Sequence, residues 1–487
     1  MEFRFLCPFC GQKLKADDDA AGKPVDCPRC KGEFLIPEPP PDSEAEASAP
    51  LPLPFADSHE PALPPSSISE PTSYEPAPPP STIPEPNPEG EHNCPVCWLR
   101  FDSGDITHIA VHDSLRGDPI LGEDAQQRFL ATRFNNSGQA LDAMGLACSD
   151  IACPHCRRKL PPGFLETQHH IISIVGDASA GKSYYLSVLT KVLPGTLYRD
   201  FRILFQDSDP TGNAPANDMR KRLFAAQTPA QAKLAKTVMA GSMYESLPRQ
   251  GRTVSLPRPF VYSLASLENR EEQCALIFYD NAGEHFQPGV NIVEQPGAQH
   301  VASAAGILFL FDPFNSPEFR RRMKASRDPQ MEKTVIDQQD IILAEMRARI
   351  RSIRNLSLSE QIHTPVAFVL GKCDAWAHLL DGAPLADPLA TGTMDWKNLE
   401  ANSERLRAIL FELCPTVVAN AEALSDNVQF FAASSFGHTP LKLGDSDYAP
   451  DPRKLKPMFV EAPVLWILSQ IRPDLIENSA AANQTGS

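Results

Sequence analysis

The run His170-Ile-Ile-Ser-Ile-Val175 passes directly into Gly176-Asp-Ala-Ser-Ala-Gly181-Lys182-Ser183 and then into Tyr184-Tyr-Leu-Ser-Val-Leu-Thr-Lys-Val-Leu193. The first segment reads as a buried strand and the last as a helix, which Pro194-Gly195 is expected to halt. Between them stands the GxxxxGK[ST] spacing in the strand–loop–helix setting that gives it meaning. Glycines let backbone wrap a phosphate, and the N–H groups of Gly176, Asp177, Ala178, Ser179, Ala180 and Gly181 then point at the anion, reinforced by the helix N-terminus. Lys182 is expected to reach the β- and γ-phosphates, and the Ser183 hydroxyl to ligate Mg2+.

Working outward, short apolar runs continue at α/β spacing. Ala275-Leu-Ile-Phe-Tyr279 ends in Asp280-Asn-Ala-Gly283, and an acid at the end of an apolar strand suits magnesium contact through water. Gly283 can offer its N–H to a γ-phosphate. Gly306-Ile-Leu-Phe-Leu-Phe311 runs into Asp312, Pro365-Val-Ala-Phe-Val-Leu370 into Gly371-Lys372-Cys373-Asp374, and Val428-Gln-Phe-Phe431 into Ala432-Ala-Ser434-Ser435. The amphipathic stretch Val335–Leu356 reads as a helix packed beside them, and Val460–Leu468, with Pro463 in its first turn, as a closing core helix. Residues 165–475 are thus expected to form one α/β domain around a mostly parallel sheet flanked by helices.

The ordered series GDASAGKS, DNAG, GKCD and ASS resembles the phosphate loop, DxxG, [NT]KxD and SA-type motifs of TRAFAC-class GTPases. With cysteine knuckles in front, the chain is also similar to the double-GTPase-type P-loop proteins of bacterial conflict or signalling systems. The resemblance covers residues 167–473 and implies a G-domain-like fold binding GTP or GDP. By it, Asp374 would hold the guanine N1 and N2 hydrogens, Lys372 would pack on the base, and Ser434 would lie beside O6. Two residues depart from the pattern. Gly371 replaces the Asn or Thr that braces the guanine loop, which keeps a P-loop ATPase open as an alternative. Glu284 stands where many such GTPases carry Gln to orient the attacking water. It can orient or deprotonate water but adds negative charge there, and His285 is a second candidate. Slow, partner-assisted and absent hydrolysis all stay open, the last leaving a nucleotide-binding scaffold.

Ninety-six residues separate Ser183 from Asp280. Helices are expected near Ala216–Ala226 and Pro229–Met243, and the insertion is either an effector surface or decoration. Thr196, Thr211 and Thr253 are candidates for a switch threonine, with no motif to choose among them. Arg320-Arg-Arg322 is either a solvated helix face or an arginine finger supplied in cis.

Composition frames the rest. Of 487 residues 48 are proline, and eighteen of these fall within 37–92, together with eleven acidic residues and no Lys or Arg. That tract cannot bury enough apolar surface to offset its ordering entropy and is expected to be a disordered spacer. Since the formal net charge is −16, the remaining chain stands near −5, which argues against a broad nucleic-acid-binding surface. A zinc-ribbon nucleic-acid adaptor is the weaker alternative, because six basic residues within 1–36 are balanced by six acids. No apolar run reaches the ~18–20 residues that span a bilayer, so no membrane partner is expected. The first residues lack a secretory pattern, which points to the cytoplasm.

Eight of the twelve cysteines form four Cys-Pro-x-Cys pairs, and in a reducing compartment such pairs indicate Zn2+ rather than disulfides. Cys7, Cys10, Cys27 and Cys30, with sixteen residues between the pairs, match a zinc ribbon within 1–36, and the segment resembles ribbons that begin many bacterial multidomain proteins. Cys94, Cys97, Cys153 and Cys156 are the expected second site within 93–164. There fifty-five residues intervene, a helix is expected near Glu123–Arg133, and Cys148, His108, His112 and His155 are alternative ligands. Four thiolates would close such a site and leave no position for water. The ribbons and spacer would dock a protein effector or regulator. Residues 476–487 read as a frayed tail.

Overall fold

A computed structural model describes residues 91–235, 241–249, 252–269, 271–281, 286, 299–334, 339–390, 392–444 and 447–476, with short pieces between 2 and 35. The chain divides into two units, 1–79 and 80–487. In the first, Glu2–Leu6 pairs antiparallel with Lys13–Asp17, and Pro24–Asp26 with Glu33–Leu35. Cys7, Cys10, Cys27 and Cys30 fall in the two connections and lie outside the described residues, as does most of the 37–92 spacer.

The second unit is built on a seven-stranded sheet. Its strands are β1 (His169–Gly176), β2 (Ile203–Asp207), β3 (Phe260–Ser266), β4 (Gln273–Asp280), β5 (Gly306–Phe311), β6 (Val366–Leu370) and β7 (Val428–Ala432). They lie in the order β2-β3-β4-β1-β5-β6-β7. All neighbours from β4 to β7 are parallel, while β3 is antiparallel to both β2 and β4. This is the α/β, mostly parallel, G-domain-like sheet expected. The inner strands β5 and β6 read as unbroken apolar runs, and β1 as one broken only by Ser173 after its two histidines, because both faces are covered, and alternate residues serve opposite faces. Ile172 and Ile174 of β1, Leu308 and Leu310 of β5, and Ala367 and Val369 of β6 share one core with α1 (Lys182–Phe201) and a C-terminal helix (Ala462–Ile471). Ile171, Val175, Phe309, Phe311, Phe368 and Leu370 share the other with helices Gln339–Arg354 and Pro415–Leu424. Among the described residues no helix is long and apolar enough to cross a membrane.

Several local expectations are corrected. Helix α1 does not halt at Pro194-Gly195 but runs on to Phe201, where Arg202 adopts φ 53° and closes it through an N–H to Leu197 O. Proline there removes the donor for the Thr190 carbonyl. Arg220 Nη1 supplies a replacement at 3.3 Å from Thr190 O. The stretch 123–133 is not helical: Gly122–Gln126 and Arg128–Phe129 are strands. Gly122, at φ 97°, turns the chain back so that Gln126 pairs with Arg116. Asp118, buried, caps that turn by accepting the Ile120 and Leu121 N–H groups. Of the second helix expected in the insertion, only Pro229–Ala232 is helical among the described residues, and further on Tyr244–Arg249 pairs antiparallel with Arg252–Pro257. β2 and β3, not anticipated, extend the sheet at this edge. Asn213, fully buried, both donates to Val261 O and accepts the Val261 N–H at 2.8 Å, tying the insertion to β3.

Candidate functional site

The phosphate loop leaves the C-terminal end of β1, the central strand. Gly176 has φ 150°, and a Cβ there would clash with the Leu310 carbonyl oxygen of β5, so only glycine fits. Gly181, at φ 89°, makes the left-handed turn that starts α1. Lys182 is buried and folds over the loop, donating to Gly176 O at 2.9 Å and Asp177 O at 2.8 Å. The Ser183 hydroxyl donates to Asp280 Oδ2 at 2.5 Å, which brings the end of β4 against the start of α1. The remaining loop is braced from the turn Pro313–Asn315 that follows β5. Asn315 Nδ2 donates to Asp177 Oδ2 at 2.5 Å and to Ser179 Oγ at 3.0 Å. The Asp177 carboxylate also caps the Ala178 N–H at 2.6 Å, and Asp177 O takes the Ala180 N–H.

The loops after β6 and β7 come together, with Cys373 N donating to Ala433 O. Lys372, at φ 58°, ion-pairs with buried Asp312 at 2.7 Å, lies 5.4 Å from the Phe314 ring centroid and reaches Ser179 O at 3.4 Å. Asp374 sits half-buried in the first turn of the short helix Cys373–Trp376, and its carboxylate has no hydrogen-bond partner among the described residues. Ser434 is buried and its Oγ accepts the Gly437 N–H at 2.8 Å. Gly371 has a packing reason: its N–H bonds to Phe311 O and a side chain there would press on that carbonyl. The bracing is done instead by the Lys372–Asp312 pair and by Trp376 Nε1, which donates to Gly371 O at 2.7 Å.

Gly283, Glu284 and His285 lie outside the described residues. Thr196 is buried in α1 and donates to Glu461 Oε1 at 3.1 Å; Thr211 lies in the turn before the helix Ala214–Ala225, and Thr253 in the strand Arg252–Pro257. Of the arginine triple, Arg321 pairs with Glu318, Arg322 lies 3.6 Å from Glu412, and Arg320 donates to the Lys333 and Met331 carbonyls, so none points at the loop. Sequence reasoning missed Asn315 and the bracing role of Asp312. Their one sequence signal is a cluster of polar residues just past the C-terminal end of a parallel strand, where open α/β sheets bind ligands.

A second constellation lies beneath the sheet. Cys94, Cys97, Cys153 and Cys156 are all buried, with their four sulfurs within 4.8 Å of one another. The Cys94–Cys156 and Cys97–Cys153 sulfur pairs stand 3.8 Å apart. Four sulfurs placed tetrahedrally about zinc at ~2.3 Å would be ~3.8 Å apart, so the donor set fits. The two knuckles repeat one geometry. Trp98 (φ 60°) and Arg157 (φ 62°) follow the second cysteine of each, and their N–H groups return to Cys94 O and Cys153 O. The Val96 and His155 N–H groups donate to Cys94 Sγ and Cys153 Sγ. Burial and contact with the other sulfurs push the Cys94 thiol well up, the penalty a bound cation would remove. The alternative ligands are engaged elsewhere: His155 Nε2 with Arg100 O, His112 with Ser114, Cys148 with Leu146 O. His108 stands outside the cluster.

The knuckle is wired to β4. Tyr279 precedes Asp280, and its hydroxyl donates to Pro95 O while accepting from Trp98 Nε1 at 3.2 Å. His300, fully buried, stacks on the Tyr279 ring at 4.7 Å and bonds Asn281 Oδ1 at 2.8 Å and Ser173 Oγ at 2.7 Å.

No protein-family model and no curated protein matches the chain. Among solved structures, it is similar to Sup35 complexed with GDP at 10% identity and TM-score 0.21, over 56% of this chain and 38% of that one. The Arl6 BBS3 small GTPase from Trypanosoma brucei with bound GppNp matches at 11% and 0.24, over 62% and 98%. Translation elongation factor SelB from Methanococcus maripaludis, with the GTP analogue GppNHp, matches at 10% and 0.19, over 55% and 30%. The chain therefore spans well under half the length of the Sup35 and SelB chains. Scores this low leave the site to be read from its own residues.

Proposed function

We propose that the chain is a magnesium-dependent GTP-binding protein that hydrolyses GTP and signals its nucleotide state to a protein partner. The observation that carries the reading is the meeting of Lys182, Ser183 and Asp280 at the mouth of a glycine-shaped loop on the central strand. A hydroxyl and a carboxylate oxygen in contact are the hard donors that suit Mg2+, so Ser183 and Asp280 would hold it, directly or through water. When bound, the ion would neutralise charge on the β- and γ-phosphates. The loop amides from Gly176 to Ser183 would hold the phosphates, and Lys182 would exchange its two carbonyl partners for phosphate oxygens. Gly283 would donate its N–H to the γ-phosphate, and Glu284 would orient the attacking water. Asp374, whose carboxylate is not engaged by the described residues, would accept the guanine N1 and N2 hydrogens, with Lys372 against the base and Ser434 near O6. Cys94, Cys97, Cys153 and Cys156 would hold a structural Zn2+, as would Cys7, Cys10, Cys27 and Cys30, and the two modules with the spacer would recruit the partner.

The test is calorimetric binding of GTP and ATP analogues with magnesium to the full chain and to Asp374→Ala. A guanine preference lost in the variant supports the reading. Equal or ATP-favoured binding moves the assignment to a P-loop ATPase, the alternative that Gly371 keeps open. Tight binding without turnover leaves a nucleotide-binding scaffold.

A further inference from the structure

Lys333 lies 154 positions beyond Ser179 in the sequence, yet its ammonium donates to Ser179 Oγ and lies 3.5 Å from Asn315 Oδ1. The turn that delivers it is held from several sides. Asp328 caps the short turn Pro329–Glu332 by accepting the Gln330 N–H at 2.9 Å. Tyr448 Oη donates to Pro329 O, and Lys442 pairs with Glu332 at 2.6 Å. Arg320 clamps the exit, donating to Lys333 O at 2.7 Å and to Met331 O. A long flexible side chain is thus anchored at its own backbone with its charge laid on the loop.

Among the described residues that charge has no ion-pair partner. Lys372 is matched by Asp312, and Asp177 is engaged by Asn315 and the Ala178 N–H. Among the described residues no carboxylate approaches the Lys333 ammonium closely enough to pair with it. Burial pulls its pKa down, and the neighbouring Lys372 and Arg320 charges add to this, against the opposing pull of Asp312 and Asp177. A half-buried cation resting on a neutral hydroxyl is a costly arrangement in the absence of an anion, and the anion suited to this place is the polyphosphate of a bound nucleotide.

We propose that Lys333 is a phosphate-binding residue supplied in cis, its ammonium transferring from Ser179 Oγ to phosphoryl oxygens of the nucleotide. It would occupy the role for which the sequence offered the Arg320–Arg322 triple, with Arg320 acting as its positioning residue. This inference rests on the nucleotide reading above.

The test uses the full chain, magnesium and a non-hydrolysable GTP analogue, with affinity measured over a salt series. Lys333→Gln is expected to weaken binding at least tenfold and to flatten the salt dependence, since one charge contact with the ligand is gone. Lys333→Arg, which keeps the charge, should stay within about threefold of the parent. Parent-like affinity and salt slope in Lys333→Gln overturn the inference and leave the nucleotide reading standing. A loss that Lys333→Arg shares, with the salt slope unchanged, marks a structural role and also overturns it. No binding by the parent chain overturns both.

Discussion

Tyr279→Phe should be among the most damaging conservative substitutions in the chain. The ring is kept, with its stacking on His300 and its edge contact with Trp98 at 6.1 Å; only a hydroxyl is removed. That hydroxyl is fully buried and serves two partners at once, the Pro95 carbonyl and the Trp98 indole N–H. Phenylalanine leaves both unpaired in the interior, each at a cost of about 1–3 kcal/mol. Partial relaxation of the knuckle should bring the sum to about 2–4 kcal/mol, well above the ~1 kcal/mol typical of point substitutions. Because Pro95 lies between the two cysteines of one knuckle, the loss should also loosen the four-cysteine cluster proposed to hold zinc. Urea unfolding gives the stability change, and zinc release to a chromogenic chelator gives the second readout. The expected result is a lower midpoint together with faster release. A change below ~0.5 kcal/mol with unaltered release would refute the docking of the knuckle on β4 as described.

Other outcomes follow from single contacts. Gly176→Ala places a Cβ against the Leu310 carbonyl at φ 150°; a strain of about 1–3 kcal/mol is expected, with nucleotide binding lost, both measurable by calorimetry. Cys97→Ser should remove one equivalent of bound zinc from the purified chain, leaving the N-terminal equivalent, as read by metal analysis. His169 and His170 are pushed down to about 4 by burial. Their unfolded-state value near ~6.5 means that the unfolded chain binds more protons between those limits, so stability is complete above pH 6.5 and falls as the pH drops towards 4. His170→Gln should flatten that decline in a pH series of urea midpoints, and an unchanged slope would contradict it.

What the sequence showed and what it hid divide by the range of the interactions. The strand–loop–helix at 170–193 was legible because each part is local: apolar run, glycines at set spacing, helix. So were β4 to β7, apolar runs, with Gln429 the one polar interruption in β7, that each end in a polar turn. The helix expected at 123–133 failed because Gly122 and the Asp118 cap reverse the chain there, and strand pairing with Arg116 then decides. The expected halt at Pro194 failed because the rescuing donor, Arg220, belongs to another helix. Fifty-five residues between Cys97 and Cys153 left their pairing a weak inference, and the structure brings them together by packing the module on the sheet. Lys333 was invisible for the same reason, since nothing in its local sequence marks a contact with Ser179.

The central claim is that the loop from Gly176 to Ser183 holds a magnesium–nucleotide polyphosphate. Titration of a fluorescent GTP analogue into the full chain, with magnesium and then with EDTA, tests it most directly, alongside Lys182→Ala. The account predicts saturable one-to-one binding that weakens on magnesium removal and falls at least tenfold in the variant. The absence of saturable binding, or equal affinity with and without the Lys182 ammonium, would contradict it.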